Sequence, residues 1–267
     1  MGEKNKGINR MKETPNRIRI ATYNIHKCCG LDRRVFPARI VKVLREIDAD
    51  IIALQEVICV SNGTREYDQA RFFAEELGYK YCLGENRQLH GGAYGNVILS
   101  RLPVKATRNY DISWRRYERR GCLRADIELP YNHLLHIFNV HLGLTFTERR
   151  HQARQLVGSE ILMSTELQGT RIVLGDFNEW TYGLVSRLLA THLESIDLRH
   201  IGLKRTYPGV LPLLHLDHIY FDPALRLERL LVHRSRTALV ASDHVPLVAD
   251  FLLRTESSEE EEIKRLA

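Results

Sequence analysis

The chain has 267 residues, 44% of them hydrophobic, enough for one large domain or two small ones with an ample core. A formal charge of +6 and a pI near 9.1 favour an anionic partner without saying which one. No stretch reaches the ~18–20 apolar residues of a spanning helix, and the polar start lacks the apolar core of a signal peptide, so a cytoplasmic protein is expected.

Residues 1–17 hold five basic and two acidic residues and read as a disordered basic lead-in. Ile18 to Tyr23 then alternate into Asn24, a strand that ends polar. The five cysteines, Cys28, Cys29, Cys59, Cys82 and Cys122, are odd in number, and the adjacent first two do not fit a zinc spacing. Reduced, mostly buried thiols are expected.

Pro37 opens a helix with Ile40, Val41, Val43, Leu44 and Ile47 on one face. Ile51-Ile52-Ala53-Leu54 is apolar on both faces, the mark of a central buried strand, and stops at Gln55-Glu56. Residues 67–77 form a second amphipathic helix, closed by Gly78. Strands follow at 79–83 and 94–100. Gly91-Gly92 lacks the Lys-Ser/Thr continuation of a phosphate loop, so no nucleotide cofactor is expected.

Strands at 104–110 and 122–129 flank the basic, aromatic loop Trp114 to Arg120. The apolar run 134–140 stops at His141, and Thr147 fits the N-cap of a long helix through about residue 167. Ile172-Val173-Leu174 repeats the buried-strand pattern and stops at Gly175-Asp176. A helix at 184–190 and strands at 215–221, 227–233 and 245–253 complete the domain, 18–254. Residues 255–267, with five Glu against Lys264 and Arg265, form an acidic tail. Helices alternate with strands, but several strands adjoin one another, which predicts an α/β fold with mixed sheets.

The polar residues ending these apolar runs are Asn24, Glu56, His141, Asp176 with Asn178, Asp217, and Asp243 with His244. Phosphodiester cleavage needs an oriented water, neutralised phosphoryl oxygens and a stabilised leaving oxygen. Carboxylates and amide oxygens suit Mg2+ or Mn2+, and imidazoles suit phosphate oxygens. Taken singly each residue is ambiguous. Glu56 is a strand-terminating surface residue or a metal ligand. Asp176 and Asn178 form an ordinary turn or aim at one point. Asp217 and His218 point to opposite faces of a strand, and the pattern does not say which faces the cleft.

Thr22-Tyr23-Asn24, Leu54-Gln55-Glu56-Val57, Gly95-Asn96-Val97-Ile98-Leu99-Ser100-Arg101, Asn139-Val140-His141-Leu142, Gly175-Asp176-Phe177-Asn178, Leu216-Asp217-His218-Ile219 and Ser242-Asp243-His244-Val245-Pro246 together resemble the endonuclease/exonuclease/phosphatase superfamily, in motif order and over residues 18–254. The resemblance implies a four-layer α/β sandwich: two mixed β-sheets face to face, with helices outside. It implies Glu56 as main Mg2+ ligand, Asn24 beside it on metal-bound water or phosphate, and Asp243 as a further ligand or a group that supports the ligands. It implies Asp176 activating the attacking water, and Asn178 donating to the phosphorane. An Asp217–His244 pair would support a positive imidazole, and His141 would contact the phosphate or protonate the leaving group. Asn96, Arg120 and Tyr207 are expected on the substrate side, with Arg120 or Arg124 touching phosphate.

The family spans DNA, RNA, inositol phosphates and phospholipids, and the core motifs do not separate them. The basic, aromatic loop before Gly121 favours nucleic acid as partner and a nuclease activity. It also suits an anionic phospholipid surface. Val210 to Leu214 is apolar, read first as buried core and second as a surface for a lipid tail. No tyrosine matches the one that apurinic endonucleases place near the phosphate, and Asp217-His218 replaces their Asp-Tyr; both departures weaken a base-excision role. A catalytically silent binding module ranks last, since every core position holds a competent residue. A monomer is expected.

Overall fold

The computed structural model describes residues 17–60, 67–130, 133–196 and 204–253. The basic lead-in, apart from Arg17, and the acidic tail lie outside the described residues. Two six-stranded sheets stack face to face. Sheet one contains β1 (Arg17–Asn24), β2 (Ile51–Cys59), β3 (Lys80–Leu89), β4 (Gly92–Ser100), β11 (Leu225–Val232) and β12 (Leu247–Leu253), in the order β11-β12-β1-β2-β4-β3. Sheet two contains β5 (Val104–Asp111), β6 (Gly121–Glu128), β7 (Leu134–His141), β8 (Thr170–Asp176), β9 (Glu194–Ser195) and β10 (Asp217–Phe221), in the order β5-β6-β7-β8-β10-β9. Each sheet has one parallel pair at its centre, β1 with β2 and β7 with β8, and antiparallel pairs elsewhere.

The layers follow from the alternation of side chains along each strand. Ile20, Ile51, Ile98, Ile137, Ile172 and Ile219 point between the sheets and form the central core. The opposite faces of β1 and β2, with Ala21, Tyr23, Ile52 and Leu54, pack on α1 (Pro37–Ile47) and α2 (Gln69–Leu77). The outer face of sheet two, with Phe138, Val173 and Tyr220, packs on α3 (Phe146–Leu156) and α4 (Leu184–Leu189). Central strands are therefore apolar on both faces because each separates two cores. This is the expected four-layer sandwich.

Some boundaries differ from the sequence reading. Helix α3 is capped by Thr145, whose hydroxyl accepts from Glu148 N at 3.3 Å, rather than by Thr147. It ends at Leu156 instead of near residue 167, because Gly158-Ser159 are poor helix formers. Ile161, Leu162 and Leu167 remain buried, but in a loop that packs under the sheet. Strands β3 and β4 extend to Leu89 and Gly92, since His90 (φ 51) and Gly91 (φ 77) supply a tight hairpin turn. All five cysteines are free thiols, four of them buried.

A buried polar bridge ties the sheets together near the end where Asn24, His141 and Asp176 emerge. Asn139 of β7 donates from Nδ2 to Leu54 O and Val97 O, both at 2.9 Å, and accepts from Gln55 Nε2 at 2.8 Å. Replacing it with Leu takes the Asn139 amide from two interior carbonyls and leaves Gln55 Nε2 only its bonds to Thr22 Oγ1 and Ala53 O. Asn139→Leu should lower unfolding stability by roughly 3 kcal/mol, read from urea denaturation with an unchanged m-value.

Candidate active site

Because β1 and β2 run parallel, Asn24 and Glu56 leave the same edge of sheet one. A register shift between Leu54 and Val57 bulges β2 there, and Glu56 adopts φ 58. Left-handed backbone at a non-glycine residue is uncommon, and here it turns a carboxylate into the cleft. In sheet two the register sets His141 beside Asp176, and Asp176 beside Asp217, on three adjacent strands. Gly175 allows the close approach: its φ is 145, and a Cβ there would sit 1.9 Å from Val140 O.

Asn24 joins the two sheets' contributions. Its Nδ2 donates to Asp176 Oδ2 at 2.9 Å and to Glu56 Oε1 at 3.2 Å. Asp176 Oδ2 also lies 3.6 Å from Nε2 of His141 and 3.6 Å from Nε2 of His244. The other oxygen, Oδ1, accepts from Asn178 N at 3.0 Å. His244 Nδ1 donates to Asp217 Oδ2 at 2.8 Å, which fixes the ring and aims Nε2 at Asp176. Of the adjacent pair on β10, Asp217 faces the cleft machinery; His218 sits behind it, against Phe177 and Glu179 O.

The two histidines differ in charge. Burial disfavours the His244 imidazolium, but Asp217 and Asp176 outweigh it and raise its pKa to about 10. Burial and Arg120 push His141 down to about 4, against the pull of Asp176 and Glu56. At neutral pH His244 is a cation and His141 is neutral. Burial would raise the Glu56 carboxyl, yet His141, Lys27 and Asn24 hold it at about 2.

Asn24, Lys27, Glu56, His141, Asp176 and His244 line one cleft of about 480 Å³, together with Asp243, Arg120 and Tyr207, while Asp217 lies wholly buried behind His244. Tyr207 packs its ring 5.1 Å from that of His244. Arg120 is buried and pairs with Glu118 at 2.8 Å. The Asn178 amide donates to Leu142 O at 2.9 Å, leaving one N–H for a ligand. Asn96 does not join them. It is buried between the sheets and donates to Gly121 O and Asn139 O at 3.0 and 3.1 Å, so it braces the fold rather than facing substrate. Arg124 is also committed elsewhere, to Asp126 and to Tyr110.

Several cleft residues escaped sequence reasoning. Lys27 rests its ammonium on Glu56 Oε2. Its position depends on the run of positive φ at His26, Lys27 and Cys28, which leaves no periodic trace. Glu118 sits within a basic run but pairs with both Arg120 and Arg87. Leu144 and Trp180 are 70% and 58% exposed at the cleft mouth. The stretch 210–214 read first as core is exposed: Val210, Leu211 and Leu213 are 60%, 64% and 54% accessible. The reason is local, since Tyr207 and Leu214 pair their backbones and lift the segment off the body as a hairpin.

The donor set bears on metal chemistry. Among the described residues, no three His, Cys, Asp or Glu side chains group closely enough to cage an ion alone. Glu56 and Asp243 offer carboxylate oxygens on the cleft wall, whereas Asn24 turns its amide N–H groups to Glu56 and Asp176 while its Oδ1 accepts from His26 N at 3.0 Å, so it orients the carboxylates rather than lending an oxygen. That set fits a cation that keeps several of its waters, Mg2+ or Mn2+, and does not fit a closed zinc centre.

A family model described as the endonuclease/exonuclease/phosphatase family matches residues 21–244. A protein of Escherichia coli (strain K12), described as uncharacterized protein YbhP, is 32% identical over 250 residues, covering 88% of this chain and 96% of the relative. Among solved structures, the mannosyl-6-phosphatase of Bacteroides thetaiotaomicron VPI-5482 superposes with a TM-score of 0.72 at 17% identity, over 88% of this chain and all (100%) of that one. The human Nocturnin catalytic domain with bound sulfate superposes with a TM-score of 0.71 at 18% identity, covering 90% of this chain and 96% of that one. At these identities the two structures share the fold.

Proposed function

This chain belongs to the endonuclease/exonuclease/phosphatase family, whose members hydrolyse phosphoric esters, and we propose that it cleaves phosphodiesters with the help of Mg2+ or Mn2+. The observation that carries the reading is Asp176 Oδ2, reached at once by Asn24, His141 and His244. A carboxylate so placed can take a proton from an attacking water. The water oxygen bonds to phosphorus, the water's proton passes to Asp176, and the bond to the leaving oxygen breaks, that oxygen departing with the bonding pair and taking its proton from solvent water.

The His244 imidazolium, backed by Asp217, faces the charge that grows on the phosphoryl oxygens. The spare N–H of Asn178 and the guanidinium of Arg120 address the same charge. His141 is neutral at pH 7, so it offers a hydrogen bond rather than a reserve of protons. Glu56 and Asp243 would hold the cation, with Asn24 donating to Glu56 Oε1 and orienting that carboxylate; when bound, the cation supplies a Lewis acid for the phosphoryl group.

EDTA should abolish turnover and Mg2+ or Mn2+ should restore it. Glu56→Gln should need at least ~10-fold more Mg2+ for half-maximal rate. Full activity in EDTA would overturn the reading. The substrate is sought with DNA, RNA, phosphomonoesters and phospholipids in parallel, with Glu56→Ala as the blank.

On substrate, the nuclease reading draws on Lys27, Arg87 and Arg120 in the cleft. The aromatic residues of the basic loop support it less, because Trp114 and Tyr117 already stack on each other at 5.5 Å. A second reading, a phospholipid phosphodiester, is favoured by one specific observation: the exposed aliphatic hairpin 207–214 beside the mouth.

A further inference from the structure

Fifteen large apolar side chains are exposed among the described residues, and all but Tyr67 and Tyr81 lie on six connecting segments, loops except that Phe146 opens α3 and Val240 sits in a single helical turn. These loops, 25–36, 112–120, 142–146, 177–183, 204–216 and 233–246, adjoin the ends of β1, β6, β7, β8, β10 and β12, which carry or flank the site residues other than Glu56. Scattered exposed apolar residues are ordinary, but their collection around one face marks an interaction surface.

The hairpin is its most pronounced part. Tyr207 N donates to Leu214 O at 3.1 Å and Leu214 N to Tyr207 O at 2.7 Å, while Gly209 N donates to Asp243 O at 2.7 Å. The base is thus tied to the catalytic loop, and Val210, Leu211 and Leu213 project from it. Leu214, Leu144 and Trp180 continue the apolar surface into the cleft wall.

Charge is concentrated on the same face. The six loops hold eleven Lys and Arg against four Asp and Glu, an excess of seven, while the whole chain nets +6. These segments are therefore net basic, and two of their cations, Lys27 and Arg120, line the cleft itself. Branched aliphatic side chains gain nothing from a nucleic-acid backbone, which would satisfy only the arginines. An anionic bilayer satisfies both: its headgroups attract the basic residues and its acyl boundary accepts Leu, Val and Trp.

We propose that this face docks on anionic phospholipid membrane and brings the cleft to a phosphate ester held at the bilayer surface. The proposal rests on the lipid reading of the substrate, but its test reads binding rather than turnover, so the two fail separately. Vesicles of equimolar phosphatidylglycerol and phosphatidylcholine should carry the protein upward in flotation, and vesicles of phosphatidylcholine alone should carry far less.

The double variant Leu211→Ser, Leu213→Ser should lose partitioning by ~10-fold or more while hydrolysing the soluble ester bis(p-nitrophenyl) phosphate at the wild-type rate. Both side chains are more than half exposed, so the fold does not depend on them. In Trp114→Phe, Trp180 is the single remaining tryptophan, and its emission should move to shorter wavelength on anionic vesicles.

Three results would overturn the docking face: wild type that stays below the anionic vesicles, a double variant that floats like wild type, or flotation with no change at Trp180. Retention of a single-stranded oligonucleotide by a protein that ignores vesicles would overturn it in favour of nucleic acid. Flotation as expected with no turnover of any phospholipid would uphold the docking face and sink the lipid substrate.

Discussion

Asp176→Asn is expected to lower kcat/KM for bis(p-nitrophenyl) phosphate by ~10³-fold or more, within the range that removal of a general base commands. The substitution keeps size and shape, and an Asn Oδ1 can still accept from Asn178 N. What it removes is the basic oxygen on which Asn24, His141 and His244 converge. An amide cannot take the proton that an attacking water must release. It also removes a negative charge that helps His244 keep its own, so proton acceptance and charge neutralisation weaken together. Melting temperature and far-UV circular dichroism check that the chain still folds. Turnover within tenfold of wild type, in a folded variant, would sink the assignment of Asp176 as base.

How much of this site could be read from the chain depends on what each residue's position required. Asn24, His141 and Asp176 stand where strands stop, and a strand that is apolar on both faces announces its end by its first polar residue; Asp217 instead opens β10, which runs antiparallel to β8 and so starts at the same edge. The parallel pairing of β1 with β2 and of β7 with β8 then brings those ends to one edge. Glu56 was visible for the same reason, although the bulge and positive φ that aim it were not. Asn96 shows the opposite case. It ends no apolar run, lies inside β4, and its amide serves the gap between two sheets, a demand that exists only once the sheets have stacked.

Lys27 depends on backbone angles that no periodicity encodes. The 210–214 segment misled because apolar composition reports a tendency to leave water, not the element available to bury it. In this fold no helix or strand covers that hairpin among the described residues, and its side chains stay outside. The end of α3 at Leu156 is a milder failure, in which apolar spacing continued past the Gly158-Ser159 break into a packed loop.

The charge of His244 is the remaining determinant, and Asp217→Asn tests it. Asp217 is wholly buried, and its Oδ2 accepts from His244 Nδ1 at 2.8 Å. Asn at this position can still accept that bond but no longer stabilises the imidazolium. Its new amide also has to be buried where Oδ1 of Asp217 has no hydrogen-bond partner, at a cost of roughly 1–3 kcal/mol in stability. In the wild type, His244 is raised to about 10, so it stays charged through neutrality and loses its proton only in strong alkali.

Activity that relies on the cation should hold below that value and fall as pH rises through it. In Asp217→Asn the alkaline limb should move down toward the ordinary histidine range, with kcat/KM at neutral pH reduced by ~10²-fold or more. Stability follows the same sign. A folded pKa above the unfolded ~6.5 stabilises the native state fully below ~6.5 and progressively less as pH rises through about 10. The melting-temperature gap between wild type and variant should therefore be wider near about pH 6 than above about pH 10. A purely structural role for Asp217 predicts something else: a rate lowered by the same factor at every pH, with the alkaline limb unmoved.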